Sequence, residues 1–293
     1  MVEVMIKRRN VIFDSQILSA WMACKRLTDF QHHMNLVPMT GKGHYLEMGL
    51  IVHVALAEYY RSVRDGIKRA EAIQRAIAEA KKYTVGDESD QKKYPGVKNT
   101  SIDEIDNIFT CLNQYWLHYS NEYWTPIDVE KVKEEIIYQD EDIRVKWKVK
   151  YDLTVDTNQG IYPVDHKTYR QRRDTLNLNN QFSGQCVVAK TNAVIINKFG
   201  LQTSIPPKDK FLRPMVSYST DRLKEWVQLV GFYAKEYADY VENGSGFYPP
   251  NYTHCDKFSG CIYRDVCMAD RNMRETELRM NFVVGEPWEP TDD

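Results

Sequence analysis

The chain has 293 residues, 43% of them apolar, enough to bury a full core as one large domain or as one domain with appendages. Its 39 basic and 41 acidic residues leave a formal net charge of −2, so no global positive field marks a nucleic-acid binder and such contacts must come from local patches. No apolar run approaches the roughly 20 residues that span a bilayer and residues 1–10 lack the apolar stretch of a secretory signal, so the expectation is a cytoplasmic protein without membrane partners. There, six cysteines read as thiols or metal ligands rather than disulfides.

Ser15 is a candidate N-cap for a helix that carries Ile17, Leu18, Trp21, Met22 and Leu27 at helical spacing. Cys24 lies in that helix, followed by Lys25-Arg26; a lone helical cysteine is ordinarily core filler. Residues 44–63 predict a stronger helix, with Leu46, Met48, Leu50, Val54, Leu56, Ala57 and Tyr60 on its apolar face. Gly49 sits inside it, where glycine costs about 1 kcal/mol against alanine and signals close packing. Taken alone, His53 reads as an ordinary half-buried histidine. Residues 66–125 are helical and charged, with a polar break from Val85 to Gly96, and form a helical insertion in which Cys111 falls among apolar residues. Val129 to Asp140 predicts the first strand; Glu134 and Glu135 face opposite sides of it, so only one can point inward. The run Arg144 to Lys150 alternates bases with apolar residues, giving either a solvated face or a stripe that tracks a phosphate backbone.

The most informative stretch follows. Val149, Tyr151, Leu153 and Val155 alternate with polar residues, and Asn158-Gln159-Gly160 reverses the chain. Asp152 lies inside the first strand of this hairpin, and Asp165 and Lys167 lie two apart on the second, so their side chains project together. Two carboxylates and a lysine suit a hard divalent cation and a phosphate. Arg170, Arg172 and Arg173 come next, as a grip on a nucleic-acid backbone or as a plain solvated loop. Asn179 to Lys190 predicts a helix with Gln181, Gln185 and Cys186; strands over 193–218 and an aromatic-rich helix over 219–242 complete the core.

Cys255, Cys261 and Cys267 then recur with five residues between successive members, a spacing that core packing does not explain. Three thiolates can converge on one metal or cluster but are one short of a tetrahedral set, and Cys24 supplies the fourth if the chain ends meet. Residues 1–280 read as a single domain and 281–293 as a frayed acidic tail.

Asp152 followed, after a hairpin, by Asp165-His166-Lys167 resembles the core of the PD-(D/E)XK nuclease superfamily. Within it the chain is similar to the RecB-like branch that includes the four-cysteine exonucleases of CRISPR adaptation and their phage relatives. The resemblance implies an α/β, restriction-endonuclease-like fold: a mixed central sheet of about four or five strands flanked by helices, with the helical insertion and iron–sulfur-clasped termini. It implies Asp152 and Asp165 as ligands of Mn²⁺ or Mg²⁺, joined by the His166 backbone carbonyl and by His53, with Lys167 orienting or deprotonating the attacking water. Gln181 matches the first position of the branch's Q-x-x-x-Y helix motif and would hold Lys167 or the substrate; Gln185 stands where the tyrosine belongs. Cys24, Cys255, Cys261 and Cys267 would bind a [4Fe–4S] cluster, zinc with His254 being the alternative occupant. The first C-terminal interval departs from the commoner C-x2-C form, and no proline follows Cys24.

The function so implied is a metal-dependent DNA exonuclease on single-stranded or end-containing DNA, in recombination, repair, phage DNA processing or CRISPR adaptation. It would act as a homo-oligomer or beside a helicase, recombination or CRISPR protein. Two rival readings stand beside it. One is a catalytically silent DNA- or protein-binding accessory factor that keeps the fold and the cluster. The other is a purely structural iron–sulfur or zinc protein.

Overall fold

The computed structural model describes residues 8–40, 43–169, 179–243, 246–257 and 260–287. A short strand, β1 (Arg9–Phe13), precedes α1 (Ser15–Ala23). The cap of α1 is Asp14, one residue before the Ser15 read from sequence: its carboxylate accepts from the Gln16 and Ile17 backbone N–H groups. Cys24 separates α1 from α2 (Lys25–Thr28), and one π-turn leads to β2 (Leu36–Pro38).

Three helices then form one outer layer. α3 (His44–Arg64) buries Ile51, Val52, Ala55, Leu56, Tyr59 and Tyr60. α4 (Arg69–Val85) buries the alanine stripe Ala72, Ala76 and Ala80, whose small side chains at successive fourth positions let it lie close against α3. α5 (Ile102–His118) opens on a capping box between Ser101 and Glu104 and buries Ile108, Cys111, Leu112, Tyr115 and Trp116. The helices of the expected insertion pack onto the sheet. With Val129, Leu153, Val155, Val164, Ile195 and Phe199 they make the largest core cluster.

β3 (Thr125–Gln139) and β4 (Ile143–Thr157) pair antiparallel, and β5 (Gly160–Tyr169) completes the hairpin. α6 (Asn180–Ala189) crosses to β6 (Ala193–Gly200), which lies parallel to β5; α7 (Pro207–Lys210), β7 (Phe211–Leu212) and β8 (Met215–Ser217) follow. Among the described residues the sheet has seven strands, not four or five, because β1 joins β4 in parallel and the short β7 and β8 both pair with β6. It is a mixed sheet flanked by helices, a restriction-endonuclease-like α/β architecture.

α8 (Thr220–Asn243) covers the second face with α1 and α6. Trp147, Val149, Tyr151, Trp226 and Val230 fill that side. On α6, Gly184 packs directly over Trp147; a Cβ there would come within 2.1 Å of the indole nitrogen. The glycine thus lets α6 press onto the sheet. After α8 come α9 (Arg264–Met268), α10 (Arg274–Asn281) and β9 (Phe282–Val284). β9, assigned from sequence to the tail, pairs antiparallel with β2 over a satellite core of Phe30, Leu36, Tyr263, Val266 and Phe282. No helix among the described residues is long and apolar enough to cross a membrane.

Candidate active site and cysteine cavity

The β4–β5 ladder runs as far as Leu153 opposite Val164 and then opens. Past that point the His166 backbone N–H donates to Asp152 Oδ2 at 2.7 Å, so a carboxylate takes the place of a ladder carbonyl. On the other side of β4, the pairs Val129–Leu153 and Lys131–Tyr151 set Glu130 opposite Asp152. Glu130 has φ +52°, a left-handed conformation that a strand residue adopts only under local constraint. Same-parity residues of a regular strand share a face, yet Tyr151 packs with the α8 side and Leu153 with the α3 side. The ribbon turns through the sheet at this point, and the turn is what brings both carboxylates to one edge.

α3 delivers the third group. His53 Nε2 donates to the His166 carbonyl at 2.9 Å, which leaves the Nδ1 lone pair toward the carboxylates, 3.7 Å from Asp152 Oδ1. His53, Glu130 and Asp152 offer ligand atoms that all lie within 4.8 Å of one another. The His166 carbonyl, an expected metal ligand, keeps a second lone pair. Burial pushes Glu130 up to about 7, the Asp152 charge adding to the rise and Lys150 opposing it. Asp152 is raised likewise, by burial first and then by Asp165. Burial lowers His53 and keeps the ring neutral, against the pull of Glu130. Two carboxylates that resist ionising together, beside a neutral imidazole, fit a divalent cation: its charge is what the site lacks.

Asp165 and Lys167 lie on the α6 side of β5. Asp165 is fully buried; its Oδ1 accepts from Gln181 Nε2 at 2.6 Å and Gln185 Nε2 at 3.3 Å, and its Oδ2 pairs with Lys167 Nζ at 2.8 Å. Lys167 also donates to Gln181 Oε1 at 3.2 Å. Burial opposes the lysine's charge, but Asp165 and Asp152 outweigh it and hold the ammonium above its ordinary value. Asp165 stands outside the compact ligand set, though its charge reaches Asp152. Asn179 caps α6 through the Gln181 and Phe182 N–H groups, which fixes where both glutamines fall.

Sequence reading missed Glu130 and the part played by Gln185. Glu134 and Glu135, the acidic pair the sequence offers on this strand, are engaged elsewhere: Glu134 pairs with Lys146 at 2.8 Å and Glu135 lies 3.7 Å from Lys190. Two bases of the proposed stripe are paired with carboxylates, Lys146 with Glu134 and Lys150 with Glu130 at 3.1 Å. Arg170, Arg172 and Arg173 lie outside the described residues.

The His166 side chain points the opposite way, into the α3–α5 layer. Burial drives it well below its ordinary value, so the ring is neutral, and its Nδ1 accepts from Asn197 Nδ2 at 3.0 Å. Asn197 donates to Tyr115 at 3.0 Å and accepts from Arg213 Nε at 3.2 Å. Arg213 pairs with Glu122 and lies between the rings of Tyr119 and Trp124, 3.5 and 3.7 Å from their centroids.

Cys24, Cys255, Cys261 and Cys267 line one small cavity with Phe30, Pro250, His254 and Tyr263. The Asn251 N–H points at Cys24 Sγ from 3.2 Å, and Arg26 Nη1 lies 4.0 Å from Cys267 Sγ. The thiols share a cavity without forming a ligand set as tight as that of His53, Glu130 and Asp152 among the described residues. Burial raises Cys255 and Cys261, with the neighbouring cysteines adding to it. Cys111 and Cys186 are buried in the core.

A lysine, a buried carboxylate and a carboxylate–histidine pocket where two central strands of a mixed sheet part suit a divalent cation and a phosphate. The sequence matches the PD-(D/E)XK nuclease superfamily over residues 16–268, and the chain belongs to it. Membership implies a divalent-metal phosphodiester hydrolase whose substrate is DNA. Among solved structures, SSO0001 shares 14% identity, with 73% of this chain and 84% of its own covered and a TM-score of 0.33. LHK-Exo, an alkaline exonuclease from Laribacter hongkongensis, shares 10% identity over 66% of this chain and 97% of its own, with a TM-score of 0.30. No curated protein matches the chain.

Proposed function

We propose that the protein is a Mn²⁺- or Mg²⁺-dependent DNA exonuclease acting on single-stranded or end-containing DNA in the cytoplasm, in recombination, repair, phage DNA processing or CRISPR adaptation. One observation carries the reading: the Lys167 ammonium, tied to Asp165, beside the His53–Glu130–Asp152 pocket where β4 and β5 part. His53, Glu130 and Asp152 would hold the cation, with Asp165 and the His166 carbonyl as further oxygen donors. The nitrogen in that set favours Mn²⁺ over a cation that prefers oxygen alone. A bound ion supplies charge for the phosphoryl oxygens and acidifies water.

The chain's own groups do the rest. Lys167, kept charged by its carboxylate neighbours, orients the attacking water and offsets negative charge as the phosphorus centre is attacked. Gln181 holds both Lys167 and Asp165, fixing the distance between nucleophile and metal. Gln185 supports Asp165 from the next turn of α6. Cys24, Cys255, Cys261 and Cys267 would hold a [4Fe–4S] cluster that ties the two chain ends together, with zinc as the other candidate occupant.

The test is cleavage of end-labelled linear and circular single-stranded DNA with Mn²⁺, wild type beside Asp165→Ala, on protein purified without oxygen and examined for iron–sulfur absorbance. Cutting of the linear form only, abolished in the variant, is the expected result. A coloured protein that binds DNA and cuts neither form would overturn the enzyme reading in favour of a silent binder.

A further inference from the structure

Next to the metal pocket lies a cavity of about 640 Å³, bounded by the first turns of α3 and α5 and by the loop after β6. Thr168 and Tyr169, which directly follow Lys167 on β5, form one wall. Met48 forms another; it precedes His53 by five positions on α3, a rise of about 7.5 Å at 1.5 Å per residue. Cavity and metal pocket therefore share a strand and a helix, at a separation one sugar and its phosphate can bridge. A Cβ at Gly49 would meet Thr168 Oγ1 at 3.3 Å, so the glycine read from sequence as a close-packing site brings these two walls together.

The lining tells what fits. Tyr45, Met48 and Leu201 give it an apolar surface, and Tyr45 is 54% exposed, its ring meeting His44 edge-on. Its charged groups include Asp103 and Glu104, and among the described residues no lysine or arginine lines it. Glu104 is committed to the Ser101 cap and to His44, 3.0 Å away. Asp103 has no partner among the described residues. A carboxylate without a cation repels a phosphodiester but accepts hydrogen bonds from an amino group, and exposed tyrosine offers a planar face for stacking. Those are the requirements of a nucleobase rather than of a backbone.

We propose that this cavity receives the base of the nucleotide next to the scissile phosphodiester, and that Asp103 accepts from its exocyclic amine, so that adenine, cytosine and guanine are taken in preference to thymine. The inference rests on the nuclease reading and assigns specificity to residues outside the chemistry. Both Asp103 and Tyr45 are exposed, so replacing them leaves the fold intact.

Two measurements test it. In the first, single-turnover cleavage with Mn²⁺ is followed on linear oligonucleotides in which one position at a time is thymine or abasic. Wild type slows about tenfold when the altered position reaches one fixed offset from the cut, an abasic site losing the stacked base and thymine the hydrogen bond to Asp103. Asp103→Asn removes the thymine penalty and keeps the abasic one; Tyr45→Ala raises KM for every sequence. In the second, single-stranded DNA carrying one 2-aminopurine is bound in Ca²⁺, and its fluorescence is quenched at one position in wild type but not in Tyr45→Ala. Uniform cutting with no offset dependence overturns the base pocket and leaves the nuclease standing. Position-specific quenching without any cutting keeps the pocket and removes the nuclease. Quenching at no position overturns the pocket whatever the cutting shows.

Discussion

The two faces of β5 carry two kinds of polar construction. Toward α6, Asp165 and Lys167 adjoin a pocket in which Glu130 and Asp152 crowd each other, and burial holds both above the ordinary carboxylate range. Toward α5, His166 joins Asn197, Tyr115, Arg213 and Glu122. There, cation meets anion, the amide uses both its ends, and His166 Nε2 is the group left over. The second network is balanced in charge as it stands, and rigidity is its product. The first is short of positive charge, which is the property of a place made to receive a metal ion.

This contrast can be broken from either side. The largest effect is expected for Asp165→Asn, which removes the anchor of Lys167: cleavage falls about 10³-fold, some 4 kcal/mol in the barrier, while circular dichroism and the melting temperature stay near wild type. On the other face, Arg213→Met strands the buried Glu122 carboxylate and costs about 3 kcal/mol in denaturant unfolding, and adding Glu122→Leu restores most of the loss. If the single variant were neutral, the network would not be the rigid half of the comparison. Glu130→Gln is smaller again. Calorimetry should find Mn²⁺ binding weakened about tenfold, whereas the metal-free protein becomes slightly more stable as the repulsion with Asp152 is relieved.

The smallest effect is in pH. A carboxyl raised to about 7 in the folded state adds stability that is complete below its unfolded value near 4 and is lost as pH climbs through 7. Binding a cation displaces the same proton. The rise in melting temperature caused by Mn²⁺ should therefore be slight at pH 5.5 and grow toward pH 8, and Glu130→Gln should flatten that slope. A shift independent of pH would mean that the carboxylates are already ionised without metal.

Much of this was legible in the chain. Alternation and a turn placed Asp152, Asp165 and Lys167, because strand parity is a local rule. Glu130 was hidden by a bulge: the register changes between Ile136 and Tyr138, so counting back from the β3–β4 turn sets Lys131, not Glu130, opposite Asp152. The Arg213 network left no local trace, since its members come from three helices or strands and two loops. β7 and β8, two and three residues long, are too short to show a period. The cysteine spacing was plain, and the shared cavity is a tertiary fact that spacing only permits.

The way the chain closes on itself bears on how it is made. β2 is paired by β9, and the Tyr263 hydroxyl donates to the Leu36 carbonyl across 227 positions. Trp21 packs edge-on against Tyr237 and Tyr240 of α8. On the ribosome, the first strand and helix emerge long before these partners, leaving Val11, Phe13 and Trp21 without cover while the central hairpin assembles. Contacts of such long sequence separation slow folding, so the nascent protein must survive an interval in which its sheet is formed but its first helix is undocked. Completion of α8 ends that interval, and the late arrival of α9, α10 and β9 seals it.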